Sequence, residues 1–216
     1  GPSPAVELQS ALHGAPFRGG PRHVATVPLD TVIRGAANPC GLAIAPDGRT
    51  LYVSHTGTHE ITAVDLPKLH TLIKTRSAEA RRRADPSLTD PRDLARDLGA
   101  LPRAGVFRRW QAGGLGPMGI ALSPKGDRLY VANRFSDSVT VLDTATGRLL
   151  DTIRIGPDRP MSLVRRGHFL FNNARPSCFQ GWLSCASCHP ETGSDGLNWD
   201  LLNDGIGNRK NAKMLI

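Results

Sequence analysis

The chain has 216 residues, 27 of them Lys or Arg against 19 Asp or Glu, for a formal net charge of +8, with 39% hydrophobic residues and 5% aromatics. That is enough for one sizeable domain or two small ones of ordinary soluble composition, and no apolar run approaches the ~20 residues that span a bilayer. The basic residues are scattered, apart from RSAEARRR at 76–83 and RRW at 108–110. With few aromatics and no nucleic-acid-binding motif, no nucleic acid is expected as a partner; a solvated basic face that could steer an acidic redox partner is the better reading.

The opening GPSPAVELQ reads as a processed end or cleavage scar and is set aside from fold reasoning. The chain then repeats itself. NPCGLAIAPDGRTLYVSHTGTHEITAVD, 38–65, matches GPMGIALSPKGDRLYVANRFSDSVTVLD, 116–143, at a constant offset of 78. Pro39 meets Pro117, Gly48 meets Gly126, Leu51–Tyr52–Val53 meet Leu129–Tyr130–Val131, and Asp65 meets Asp143. In each copy GLAIAP or GIALSP alternates as a strand does, PDG or PKG makes a tight turn, and RTLYVSH or DRLYVAN is a β-branched, aromatic strand. EITAVD and SVTVLD give third strands, and GRLLDTIRIG a fourth. Four short antiparallel strands per repeat describe a propeller blade.

Between the repeats, residues 67–110 are expected to form a helical insertion on one rim. LPKLHTLIKTRSAEARRRA and DPRDLARDLGAL read as its helices, with Ser87 or Asp90 near the start of the second, and surface decoration is its expected role. Past GPDRP the pattern breaks, and MSLVRRGHFLFNNA, 161–174, reads as a helix or as another blade start.

SCASCHP, 184–190, carries the chemistry. On a helix, Cys185, Cys188 and His189 at i, i+3 and i+4 share one face, which could offer two thiols to the edge of a flat ring and an imidazole to its centre. That arrangement suits a covalent haem c, with the cysteines on the vinyl groups and His189 as proximal iron ligand. Zinc ligands usually come from separate loops, and a thioredoxin-like pair would sit beside a βαβ unit, which is not visible here. Met214 and His168 are the candidates for a sixth ligand. Cys40 and Cys178 could pair in an oxidising compartment, or stay as buried thiols. Trp199 could pack on the porphyrin, and Asp195, Asp200, Asn203 and Asp204 have the composition, without the spacing, of a calcium loop.

Two resemblances add to this. LYVAN and SVTVLD resemble the YVTN family of propeller repeats, over about half the chain. Residues 165–215 resemble the first haem domain of bacterial di-haem cytochrome c peroxidases and their propeller-fused relatives, through Arg166–Gly167, Leu170–Phe171, Ser184 to Pro190, Asp195–Gly196, Gly205–Ile206–Gly207 and Lys210–Asn211. His168 stands where that family commonly has Glu. The second resemblance favours the helix at 161–174 and implies electron transfer with peroxide reduction and a second haem domain or redox partner protein. The covalent haem reading itself, since haem is attached outside the bacterial inner membrane, implies a periplasmic or exported location.

The expected fold is therefore mainly β. A partial β-propeller over residues 1–160 leads into residues 161–216, the N-terminal part of a small α-helical cytochrome c segment. Two blades cannot close a propeller, so other polypeptide is expected to complete it. An alternative function is a propeller docking module with a single haem electron relay in a multi-subunit complex.

Overall fold

The computed structural model describes residues 27–82, 94, 97–156, 160–177, 179–199, 207 and 209–215. Two four-stranded antiparallel sheets dominate it, as the repeat requires. Strands β1 (Pro39–Ile44), β2 (Thr50–His55), β3 (Glu60–Asp65) and β4 (Phe107–Gln111) form blade 1 in that order. Strands β5 (Pro117–Leu122), β6 (Arg128–Asn133), β7 (Ser138–Asp143) and β8 (Leu149–Arg154) form blade 2. The fold is mainly β, in sheets like propeller blades. The first turn of each blade uses a left-handed glycine, Gly48 at φ 69° and Gly126 at φ 74°, where a side chain would be strained. Both first strands carry a register shift at the matching point, between Pro39 and Leu42 and between Pro117 and Ile120.

The insertion differs from expectation in extent and in role. It leaves blade 1 after β3 as α1 (Leu66–Arg82) and returns through α2 (Ala100–Arg103) to β4, which completes the blade by pairing Val64 with Phe107. Residues 107–110 therefore belong to the sheet and not to the insertion. Ser87 and Asp90 lie outside the described residues. Nor is the insertion decoration. Leu66, Leu69, Leu94, Ala100 and Leu101 are buried with Leu51, Val53 and Val64 against one face of blade 1. Each fully buried Leu or Val contributes about 1.5–3 kcal/mol, so this face depends on the insertion as much as on the sheet.

The opposite face of blade 1 meets blade 2. Tyr52, Ile61 and Ala63 pack with Leu129, Val131 and Leu142. Hydrogen bonds set the alignment. Ser54 Oγ donates to the Met118 carbonyl at 2.6 Å and accepts from Gly41 N at 2.8 Å, and Thr56 Oγ1 donates to the Pro117 carbonyl at 2.7 Å. The blades approach so closely that a Cβ on Gly41 would lie 2.1 Å from the Met118 carbonyl oxygen. Its counterpart one repeat on, Gly119, has nothing within 4 Å among the described residues, and β8 is exposed along its whole length.

The repeat also uses two residues for one task at the end of its second strand. His55 Nε2 lies 2.7 Å from Thr62 Oγ1, and at the matching point Asn133 Nδ2 donates to Thr140 Oγ1 at 3.0 Å. His55 is fully buried, with Nδ1 3.0 Å from the Ala36 carbonyl, and burial, then the Arg109 charge, push its imidazole down to about 3.

After β8 the chain turns helical. Helix α3 (Leu163–Asn172) starts at Ser162, whose hydroxyl accepts from Arg165 N, so the stretch 161–174 is helical over 163–172 rather than a blade start. Helix α4 (Ala174–Ser177), a short turn at Phe179–Gly181 and a single helical turn α5 (Cys185–Cys188) follow. A two-stranded ribbon, β9 (Asn198–Trp199) with β10 (Lys210–Asn211), is the last regular element among the described residues. Among the described residues no helix is long and apolar enough to cross a membrane.

Candidate metal centre at the cysteine–histidine turn

Turn α5 is built by its own serines. Ser184, in extended backbone, is the N-cap; its N–H donates to Ser187 Oγ at 3.0 Å, and Ser187 N donates back to the Ser184 carbonyl at 3.0 Å. The turn closes with His189 N donating to the Cys185 carbonyl at 3.0 Å. His189 itself leaves the helix, at φ −122° and ψ 63°. Pro190 follows it, and the residue before a proline is forced out of the α region. The helical-wheel placement of the imidazole thus holds for the two cysteines but not in detail for His189.

Cys185 is an exposed free thiol, and Cys188 and His189 are half-buried. His189 Nδ1 lies 3.1 Å from the Gly193 carbonyl. A proton on Nδ1 donates to that oxygen and leaves the lone pair on Nε2, the tautomer a metal ligand needs. The loop that provides the carbonyl is pinned, with Gly193 N on the Pro190 carbonyl and Asp195 N on the Cys188 carbonyl. Among the described residues, no set of three or more His, Cys, Asp or Glu side chains converges as a metal cage. Two thiols and an imidazole within one turn that do not converge suit a macrocycle, whose edge takes the thiols and whose iron takes the imidazole, better than they suit zinc.

The other candidates are placed as follows. Met214 is 63% exposed and lies beside Leu215, whose N–H donates to the Thr192 carbonyl in the same loop. His168 turns to blade 2, with Nδ1 3.2 Å from Arg134 Nη2 and its ring edge-on to Phe135; desolvation, then the Arg134 charge, lower its imidazole pKa. Trp199 is half-buried and donates Nε1–H to Asp195 Oδ2 at 2.8 Å, and Asp195 Oδ1 accepts from Leu197 N, so that carboxylate is committed to the loop. Asp200, Asn203, Asp204 and Cys178 lie outside the described residues, and Cys40 is exposed.

The joint between the turn and blade 1 could not be read from sequence. Asn38 reaches Ser184, Ser187 and the Asn172 carbonyl. Arg175 Nε and Nη2 both donate to the Thr58 carbonyl, at 3.1 and 2.8 Å, and Gly35 N donates to the Gln180 carbonyl at 2.9 Å. A Cβ on Gly35 would lie 2.4 Å from the Gly181 carbonyl oxygen, so glycine is what lets the two segments meet. Beneath them Glu60 is buried, paired with Arg34 and with Arg109, whose Nη1 is 3.6 Å away. Burial, then the like charge of Arg34, push Arg109 down to about 10. A cavity of about 430 Å³ opens here between Arg34, Thr58, Glu60 and Arg175.

Fold and turn together define a pair of propeller-type blades joined to a CxxCH segment. No protein-family model matches the chain. Two subunits of one named complex of Kuenenia stuttgartiensis share sequence with it. Hydrazine synthase subunit beta is 36% identical over 122 residues, 56% of this chain and 28% of the relative. Hydrazine synthase subunit gamma is 54% identical over 54 residues, 24% of this chain and 15% of the relative. The chain thus spans under a third of either relative's length. The solved structure of Kuenenia stuttgartiensis hydrazine synthase is 36% identical over 56% of this chain and 31% of the matched chain, with a TM-score of 0.46.

These matches overturn the resemblance of residues 165–215 to di-haem cytochrome c peroxidases, and with it peroxide reduction as the function. The sequence shared with curated proteins is that of hydrazine synthase subunits. The reason is physical. The motifs around a CxxCH turn report how a loop is held, and that does not specify the reaction.

Proposed function

We propose that this chain is part of a hydrazine-synthase-like multi-subunit assembly, in which the blades dock other polypeptide and the cysteine–histidine turn holds one covalent haem c as an electron relay. The observation that carries the reading is the presence in one chain of sequence similar to two subunits of the same complex. In this reading Cys185 and Cys188 form the thioethers, His189 Nε2 is the proximal ligand, and Met214 is the candidate sixth ligand. The fixed Nδ1–Gly193 contact supports that role for His189. Exposed Leu170, Leu197, Met214 and Leu215 supply apolar surface in the same segment that a porphyrin could cover.

The docking role draws on blade 2. Gly41 is glycine because a neighbouring strand crowds it; Gly119 repeats the glycine with that neighbour missing among the described residues. A further blade against Gly119 would reproduce the contact and cover β8. Haem c is attached outside the bacterial inner membrane, so the location proposed is periplasmic or exported, where the net charge of +8 would favour an acidic redox partner.

A pyridine haemochrome spectrum with intact mass, and solution size of the isolated chain and of its assembly, test the proposal. One covalent haem and association with other chains are expected. An unmodified polypeptide mass from cells that attach haem removes the relay. A stable, monodisperse monomer removes the docking role.

A further inference from the structure

We propose that Asn38 is the positioning residue for the cysteine–histidine turn, fixing its orientation on the rim of blade 1. The relay reading above is needed only for the spectroscopic arm of the test.

Asn38 stands one residue before β1, in left-handed backbone at φ 55°. At the matching point of the second repeat stands Gly116, at φ 65°. Both blade entries therefore take the left-handed conformation, which glycine adopts without strain and asparagine more readily than other side chains. At Gly116 a Cβ would lie 2.3 Å from the Phe135 ring, so that entry has no room for a side chain, whereas at Asn38 the side chain is put to use. Nδ2 carries two hydrogens, and donates to Ser184 Oγ at 2.6 Å and to the Asn172 carbonyl at 3.2 Å. Oδ1 accepts from Ser187 Oγ at 2.6 Å. Ser187 Oγ in turn accepts the Ser184 N–H that starts the turn.

One amide thus holds the end of α3, the N-cap of α5 and the serine lying between the two cysteines. Its partners are 134, 146 and 149 residues away in sequence. Its own carbonyl accepts from Thr56 N at 2.9 Å, which anchors it between β2 and β3. No side chain of the turn is thereby given a chemical role. The amide fixes where the thiols and imidazole stand relative to the blade, and an electron relay between docked chains depends on such a fixed placement.

Asn38→Gly, Ser187→Ala and the double variant test this in the full chain produced with haem-attachment machinery. Asn38→Gly copies the residue blade 2 already uses, so the blade entry keeps its backbone; Ser187→Ala gives an independent cut of the same link. The first readout, amide hydrogen exchange, needs no cofactor. Exchange at Ser184 and His189 should rise about 5- to 10-fold in either single variant, the worth of roughly one hydrogen bond. The double variant should rise by less than the product of the two single effects, because both changes cut the Asn38–Ser187 bond, and the strand amides of 50–65 should be unchanged. The second readout is the electron paramagnetic resonance spectrum of the iron, which should shift in all three at unchanged haem content. Unchanged exchange at the turn in Asn38→Gly overturns the proposal. So does equal loosening of β2 and β3, which would make Asn38 merely structural. A wild-type chain without haem would sink the relay reading while leaving the exchange result to decide the role of Asn38.

Discussion

Gly41 and Gly119 occupy equivalent positions in the two blades and should respond oppositely to the same methyl group. In Gly41→Ala the new Cβ would lie 2.1 Å from the Met118 carbonyl oxygen and 2.9 Å from Ser54 Oγ. A backbone carbonyl cannot retreat without moving β5, and overpacking of that kind costs about 1–3 kcal/mol. Shifting Ser54 also weakens its bonds to Gly41 N and the Met118 carbonyl, each worth about 1 kcal/mol net. The expected loss is about 2–4 kcal/mol. In Gly119→Ala the Cβ meets nothing within 4 Å among the described residues. Reduced freedom of the unfolded chain should then stabilise the isolated chain by about 0.4–1 kcal/mol. Urea unfolding of both variants measures the difference, a lower midpoint for Gly41→Ala and an unchanged or higher one for Gly119→Ala. In the assembled complex Gly119→Ala should become disruptive, seen as loss of the high-mass species by light scattering. Equal destabilisation of the two isolated variants would refute the argument, because it would mean that inter-blade approach is not what requires the glycine.

Three further outcomes are expected. The unfolded chain takes up a proton at His55 near pH 6.5 that the folded chain refuses until about pH 3, so stability should fall as pH drops through that window, by up to ~1.4 kcal/mol per pH unit; His55→Asn, the residue its repeat partner uses, should flatten that slope in pH-dependent unfolding, and an unchanged slope would assign it elsewhere. Leu69→Ala, in the insertion, should cost about 2–5 kcal/mol in chemical denaturation as a core residue does, whereas a cost under ~0.5 kcal/mol would return the insertion to surface decoration. Cys185→Ala or Cys188→Ala should leave haem held by at most one thioether, read by mass spectrometry, and a variant that keeps two covalent links would displace these cysteines from the site.

The first three strands of each blade were legible because what makes them is local. PDG and PKG turns, period-2 strands and the recurrence at offset 78 are set by residues that are neighbours along the chain, and the registers Leu51 with Val64 and Leu129 with Leu142 repeat as that recurrence requires. The CxxCH turn was legible for the same reason, and the departure of His189 from the helix follows from Pro190, since a proline disfavours helical backbone in the residue before it. The same locality misled the reading of residues 165–215, where short motifs carried an expectation of peroxidase chemistry that a turn cannot specify.

Tertiary structure decided the rest. That Phe107 completes blade 1 depends on pairing with Val64 across the insertion, and no local signal ranks one distant edge above another. That Leu69 and Leu101 are core and not surface follows from which face of blade 1 they cover. That Asn38 joins blade 1 to the cysteine–histidine turn follows from its partners, Ser184 and Ser187, which only folding brings to it. Sequence determines what each segment can form, because dihedral preference, alternation and turn chemistry act between neighbours. Only the folded chain determines what each segment touches, because burial and hydrogen bonding act between residues that the sequence keeps far apart.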